Sequence, residues 1–183
     1  MRLKSCLTLL IFSVILFAAG CGGGNEKAAT TAESSGGAKE AAKVLVEPAS
    51  LLTKAEAEAA LGGQVKEPEI KDTKNPLGQK ICFYAPVSEK EDRFIQISVV
   101  QNEGMSKNLR DTGYNVKELY EETKKNLADT KPVPGFGDDA FWGTNGLHIL
   151  KGSFYVNIAV GNTSRPENLE FAKGLAEKVV SRL

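Results

Sequence analysis

The sequence predicts an α+β fold, with one antiparallel sheet of about five to six strands in two β-β-β-α-like units. Two amphipathic helices and a short leading helix are expected to pack on this sheet. Alternating apolar residues predict strands at 80–86 and 94–101 and a three-strand meander over 139–161. Apolar residues three or four apart predict helices that begin at Asn115 and near Ser164. Hairpin-length connections favour antiparallel pairing.

The leading helix has clear start and stop signals. Thr53 can cap the helix, and Glu56, three residues later, can reach back to the amide of the cap. The helix is expected to run to Leu61 and to end at Gly62–Gly63, because glycine readily adopts the left-handed conformation that ends helices. A weaker strand is predicted at 64–70.

Alternation along the strands assigns their residues to two faces of the sheet. The face predicted to form the core carries Ile81, Phe83, Ile95, Ile97, Val99, Leu147, Ile149, Phe154, Val156 and Ile158. The opposite face carries Tyr84, Gln96, Ser98, His148, Tyr155 and Asn157. Aromatic rings mixed with hydrogen-bonding groups are typical of recognition surfaces, so these six residues form the candidate ligand face. The alternative is a polar sheet face exposed to water, which antiparallel sheets often have.

The two long helices each carry one apolar stripe. In the first it comprises Val116, Leu119, Tyr120, Thr123 and Leu127. The last helix should begin with a capping box between Ser164 and Glu167. Its predicted buried stripe comprises Leu169, Ala172, Leu175, Ala176, Val179 and Leu183.

The N-terminal segment has the features of a secretory signal. Arg2 and Lys4 precede an uncharged, leucine-rich run over 5–20 that ends in small residues before Cys21. The sequence Ala18-Ala19-Gly20-Cys21 resembles the lipobox of bacterial lipoproteins. That resemblance implies cleavage before Cys21 and attachment of acyl chains to its thiol. The alternative is an uncleaved membrane helix, which the glycines following Cys21 disfavour.

Three segments follow from this interpretation. Residues 1–20 are the predicted signal peptide, and 21–43 are the lipidated cysteine with a disordered tether, since 22–43 contain no aromatic residue and no Val, Ile, Leu or Met. Residues 44–183 form a single domain. The expected location is the cell envelope, on a membrane through the lipid anchor. In a double-membraned cell this is the periplasmic side of the outer membrane, because Gly22 replaces the Asp that retains many such lipoproteins at the inner membrane.

Composition and motifs argue against an enzyme. The chain has 23 Lys+Arg and 23 Asp+Glu, a balance that disfavours nucleic acid as a partner, and its single histidine and three cysteines leave little for a metal site. The chain has no G-x-S-x-G, H-E-x-x-H, C-x-x-C or Walker motif, so no catalytic residue, cofactor or metal is predicted. His148 is interpreted as a partly buried or surface histidine rather than a general base.

Two other segments invite a chemical interpretation. The glycine-rich turn at 135–139 has the composition of a phosphate nest or a calcium loop. A phosphate nest would need a helix after it, where a strand is predicted, and a calcium loop would need more oxygen ligands at alternate positions, so a turn that directs the strand is favoured. The lysines of 107–131 alternate with carboxylates, which predicts a solvated helix face.

Cys82 is predicted to be a solitary, reduced and buried thiol, because Cys6 leaves with the signal and Cys21 is acylated.

Four motifs in order resemble a family of uncharacterised bacterial lipoproteins that is classed as a domain of unknown function. They are the segment 47–53 that leads into the alanine-rich helix, Cys82-Phe83-Tyr84, the turn at 133–140, and the hairpin at Lys151-Gly152 with its following strand and helix. Members commonly have a cysteine where this chain has Ala49, so the disulfide that such a cysteine would form with Cys82 is absent here. More remotely, the layout is similar to PsbP-like sandwiches. Neither resemblance implies an activity.

The sequence favours two candidate functions. The first is a non-catalytic, membrane-anchored binding module for an envelope protein or a small envelope ligand. The second is a structural or assembly factor that uses a sheet edge or a helix face. Hydrolase activity is the least favoured. A concave pocket lined from the sheet would favour the first function, and a flat apolar patch the second.

Overall fold

The computed structural model describes residues 45–183, which form an α+β domain around one open antiparallel sheet. The sheet has seven strands in the spatial order β1-β2-β3-β7-β6-β5-β4. The strands are β1 (Glu69–Asp72), β2 (Lys80–Tyr84), β3 (Ile95–Gln101), β4 (Lys131–Pro132), β5 (Asp139–Gly143), β6 (Gly146–Lys151) and β7 (Phe154–Ala159). The predicted signal peptide, the predicted lipidation site Cys21 and the predicted tether lie outside the described residues.

Five α-helices accompany the sheet within the described part of the chain. They are α1 (Pro48–Leu51), α2 (Lys54–Leu61), α3 (Lys107–Asp111), α4 (Val116–Asn126) and α5 (Pro166–Ser181). The capping box of α2 is confirmed: Thr53 accepts from the amide of Glu56, whose carboxylate accepts from the amide of Thr53, and the helix ends at left-handed Gly62. Asn115 and Glu118 form a second capping box at the start of α4.

The predicted class is confirmed, while the strand count is too low. The sequence pattern missed the short edge strand β4. Of the strand predicted at 64–70, only the last two residues belong to a strand, β1, and Val65 forms a single bridge with Pro86. The second unit therefore has four strands before its helix rather than three. Strands β3 and β7 pair with each other, so the two units join through the last strand of each.

The main core lies between one face of the sheet and helices α1, α2 and α5. Helix α1 packs on β2 and β3, and α5 packs on β6 and β7. The central strands contribute Ile95, Ile97, Val99, Leu147, Ile149, Val156 and Ile158 to this core, all fully buried and all assigned correctly by alternation. From α5 the predicted stripe residues Ala172, Leu175, Ala176 and Val179 are buried against them.

The face assignment of β2 is wrong. Cys82 pairs with Ile97 and Tyr84 pairs with Ile95, so both side chains point into the main core. The hydroxyl of Tyr84 donates to the carbonyl oxygen of Leu52, which satisfies the polar end of a fully buried ring. Alternation alone could not choose the face, because β2 carries large apolar groups on both sides.

The start of α5 also differs from the prediction. The helix begins at Pro166, whose missing N–H and fixed φ suit the first helical position, and Arg165 is the cap without a side-chain hydrogen bond. Ser164 therefore lies outside the helix and forms no capping box; instead its amide donates to Oδ1 of Asn162.

The face of the sheet opposite the main core, called the second face below, is only partly covered. Helix α4 packs on β6 and β7. The small cluster under it comprises Val100, Met105, Val116, Tyr120, Phe141, Leu150 and Tyr155. The polar remainder of this face lies beside α4 and forms the floor of a cleft.

Candidate binding cleft

A cleft of about 670 Å³ lies on the second face of the sheet, next to the C-terminal half of α4. The central strands supply its floor through Gln96, Ser98, Val100, His148, Tyr155, Asn157 and Ala159. Other segments supply its walls through Gln79, Phe94, Thr123, Leu127, Thr144, Asn145, Gly161, Asn162 and Thr163. Its size falls within the range of roughly 300–1,000 Å³ that is typical of small-molecule sites.

Five of the six predicted ligand-face residues meet in this cleft. Ser98, Asn157 and His148 form one row across β3, β7 and β6, because Asn157 is the register partner of both others. Gln96 and Tyr155 lie on the same face, in the neighbouring rows. Tyr84 does not join them, since β2 directs it into the main core on the opposite side of the sheet.

His148 is held on both ring nitrogens. Its Nε2 lies 2.8 Å from the carbonyl oxygen of Thr144, which can only accept, so Nε2 carries the proton. Its Nδ1 therefore accepts from the hydroxyl of Tyr155, 2.7 Å away. The ring stacks on Phe141 with centroids 4.5 Å apart. These contacts make His148 a fixed part of the floor and leave it no free nitrogen to act as a base.

Burial keeps the floor uncharged. It lowers the pKa of His148 below its usual value, although the hydrogen bond to the Thr144 carbonyl acts in the opposite direction. Burial also raises the pKa of Tyr155 to about 12. Imidazole and phenol are therefore both neutral at neutral pH, and the cleft presents hydrogen-bonding groups without formal charge.

Hydrogen bonds orient the amides of the cleft and leave some of their polar atoms free. Nε2 of Gln79 donates to Oγ of Ser98 at 2.8 Å, and Nδ2 of Asn157 donates to the carbonyl oxygen of Asn145 at 3.1 Å. Within residues 45–183, the side-chain amide of Gln96 makes no hydrogen bond, and neither does Oδ1 of Asn157. Both residues line the cleft.

Sequence reasoning missed the walls of the cleft. Phe94, Thr144 and Asn162 lie in separate segments, and the strand pairing brings them together: the start of β3 and the start of β6 both lie beside the end of β7. Close packing secures this arrangement at Gly146, which has φ +117° and where an added Cβ would lie 2.1 Å from the carbonyl oxygen of Ile158. The turn at 144–146 is evident in the sequence, but its distance from the Gly161–Thr163 segment depends on the register.

The glycine-rich turn at 135–139 has a structural role, since its hydrogen bonds connect it to the hairpin of β6 and β7. The amide of Asp138 donates to the carbonyl oxygen of Leu150 at 2.7 Å, and its carboxylate accepts from the amide of Gly152 at 2.7 Å. Gly137, at φ +61°, lies so close that an added Cβ would be 2.3 Å from the Leu150 oxygen. The turn thus fastens β5 to the β6–β7 hairpin, as expected for a turn that directs a strand. Residues 45–183 contain no group of three or more His, Cys, Asp or Glu residues that could hold a metal ion.

Two of the basic residues in 107–131 form ion pairs with carboxylates. Lys107 forms an ion pair with Asp111 along α3, and Lys124 of α4 pairs with Asp139 of β5 at 2.5 Å. Both pairs are partly or largely exposed. Lys107 therefore pairs within its own helix, whereas Lys124 links α4 to the sheet.

Comparisons with known proteins give no indication of function, so the cleft is the main structural feature that bears on it. No protein-family model, curated protein or solved structure matches the chain. In the part of the chain described by the structure, none of the helices has the length and apolar character needed to cross a membrane.

Proposed function

We propose that this protein is a lipid-anchored envelope lipoprotein whose domain binds a ligand or partner in the cleft without catalysing a reaction. Acyl chains on Cys21 would hold the protein on the membrane, and the tether would let the domain reach its ligand. The observation that carries the proposal is the cleft itself: a concave site lined by side chains of β3, β6 and β7.

The absence of charge and of a free base in the floor supports a binding role over hydrolysis. A hydrolytic site needs a nucleophile next to a base, or an activated water. His148 is the only histidine of the chain, and both of its nitrogens are engaged by Tyr155 and Thr144. Ser98 accepts from Gln79 and, within residues 45–183, has no such base as a partner.

The assembly role receives less support from the surface. A flat docking patch would need several large apolar side chains exposed together. Within residues 45–183 only Ile70 and Val87 are large, apolar and exposed, at 60% and 54%. Ile70 lies on the edge strand β1, while Val87 follows β2.

Native mass spectrometry of the full-length mature protein in detergent tests the proposal. The protein is incubated with an extract of the envelope from which it comes, and the retained masses are compared between two variants. Gln96→Trp places a large ring in the cleft, and Gln64→Trp is the matched control at an exposed position outside it. We expect an adduct or a bound partner on the wild type and on Gln64→Trp, and at least tenfold less on Gln96→Trp.

Two results would count against the proposal. If the wild type retains nothing, the domain is not a binding module. If Gln96→Trp retains as much as Gln64→Trp, the interaction lies on a helix or a sheet edge, which would favour the assembly role. Circular dichroism of both variants checks that the fold is intact.

A further inference from the structure

We propose that the ligand of the cleft is a neutral saccharide; this inference rests on the proposed function and specifies its ligand. The first argument is the absence of charge. Charged residues make up 25% of the chain, so about four would be expected among sixteen lining residues, yet the cleft lining contains none. Its titratable groups, His148 and Tyr155, are neutral at neutral pH. An anionic or cationic ligand would find no countercharge there.

The second argument is the density of polar groups. Eleven of the sixteen lining residues carry an amide, a hydroxyl or an imidazole. An acyl chain or another apolar ligand would remove these groups from water without replacing their hydrogen bonds, which is unfavourable. A ligand rich in hydroxyl groups can donate to and accept from them. The chemistry of the lining therefore selects a polar, uncharged molecule.

The third argument is the arrangement of free and apolar groups. The unpaired amide of Gln96 offers both a donor and an acceptor, and Oδ1 of Asn157 offers a further acceptor two strand positions away across the sheet. Phe94 supplies an aromatic ring at the same end, braced by Phe83 with ring centroids 5.3 Å apart. A sugar ring has hydroxyl groups at its edge and C–H groups on its faces, which match the amides and the phenyl ring respectively.

A peptide fits this site less well. Peptides that add to a sheet pair with an exposed strand edge. The edge strands here are β1 and β4, and neither contributes to the cleft, whose floor is formed by the central strands. The cleft thus offers side-chain hydrogen bonds rather than a backbone ladder.

An array of neutral oligosaccharides, which includes maltotriose, cellotriose and triacetylchitotriose, tests the inference. The full-length mature protein is used in a detergent without a sugar headgroup, and each sugar that binds is titrated calorimetrically against its uronic-acid counterpart. We expect binding of at least one neutral sugar and at least tenfold weaker binding of the charged counterpart. Gln96→Ala should lower the affinity at least tenfold with an unchanged melting temperature, because that amide has no partner within residues 45–183. Gln64→Ala should bind as the wild type does.

The other outcomes overturn the inference. These are binding of no neutral sugar, equal binding of the uronic acid, or undiminished binding by Gln96→Ala. The native mass measurement separates this failure from failure of the proposed function. A lipid or an anion retained by the wild type and lost from Gln96→Trp would refute the saccharide and leave the binding module intact, whereas retention of nothing would refute both.

Discussion

Tyr155 of β7 donates a hydrogen bond to Nδ1 of His148 on β6 across 2.7 Å, and the opposite ring nitrogen of His148 is bound to the Thr144 carbonyl. The two side chains therefore hold one another in the floor of the cleft, with the tip of the β5–β6 turn attached to the same ring. Protonating His148 would turn Nδ1 into a donor, so the Tyr155 hydroxyl would have to turn and accept from it. The direction of this hydrogen bond is thus set by the neutral state of His148.

The stability of the domain should depend on pH through His148. Its pKa is lowered in the folded state, so below a pH of about 6.5 the unfolded chain binds a proton that the folded chain does not. The free energy of unfolding should therefore fall as the pH decreases from about 7 to 5, with a slope of at most about 1.4 kcal/mol per pH unit. In His148→Gln this slope should largely disappear. Urea unfolding at several pH values measures it, and equal slopes in both proteins would contradict the prediction.

Glu56 should stabilise the junction between α2 and the end of α5. The guanidinium of Arg182 binds both carboxylate oxygens at 2.6 and 2.7 Å, and this bond, reinforced by the amide of Thr53, holds the pKa of Glu56 well below its usual range. The pair is near the surface, so we expect Glu56→Gln to cost about 1 kcal/mol at neutral pH. The contribution is present above a pH of about 4.3 and is lost as the pH falls below it.

Urea unfolding at pH 7 and at pH 3 provides the measurement for Glu56. The difference between wild type and Glu56→Gln should shrink at the lower pH. Glu177→Gln, at an exposed position of α5, is the matched control and should change the stability little at either pH. A cost at Glu56 no larger than at Glu177 would show that the contact with Arg182 contributes nothing.

Cys82 should react slowly in the folded protein. Its side chain is fully buried in the main core, and burial raises the pKa of its thiol, so little thiolate forms and reagents have no access. In a full-length chain carrying Cys6→Ser and Cys21→Ser, a bulky maleimide should label Cys82 only after denaturant is added. Rapid stoichiometric labelling without denaturant, or a disulfide-linked dimer on a non-reducing gel, would refute this.

Cys21 should carry the lipid anchor. The signal-like run ending in Ala-Gly-Cys predicts acylation of this residue, with recovery of the protein in the detergent phase. Labelled palmitate should enter the wild type and should not enter Cys21→Ser. Label in that variant, or a mature N-terminus at another residue, would contradict the prediction.

Local signals made several elements predictable. The Thr53–Glu56 capping box and Gly62 set the ends of α2 through contacts within a few residues, and they occur as expected. Strands β3, β6 and β7 place polar residues such as Ser98, His148 and Asn157 on one face opposite large apolar residues, so alternation assigns their faces correctly. Strand β2 is apolar on both sides, and here the same reasoning placed Tyr84 on the wrong face. The difference lies in the side chains, since alternation is informative only where the two faces differ in polarity.

The sequence by itself determined the fold class and most elements of the domain, because capping, turn chemistry and apolar periodicity act between near neighbours in the chain. It also indicated one polar face, on which five of the six predicted residues do lie: Gln96, Ser98, His148, Tyr155 and Asn157. Only the tertiary structure decided that this face becomes a cleft. The pairing of β3 with β7 joins the two units, α4 covers only part of the joined surface, and segments from Gln79 to Thr163 close around the remainder. Such contacts join residues far apart in the chain, and their geometry depends on strand order and register, which periodicity does not specify.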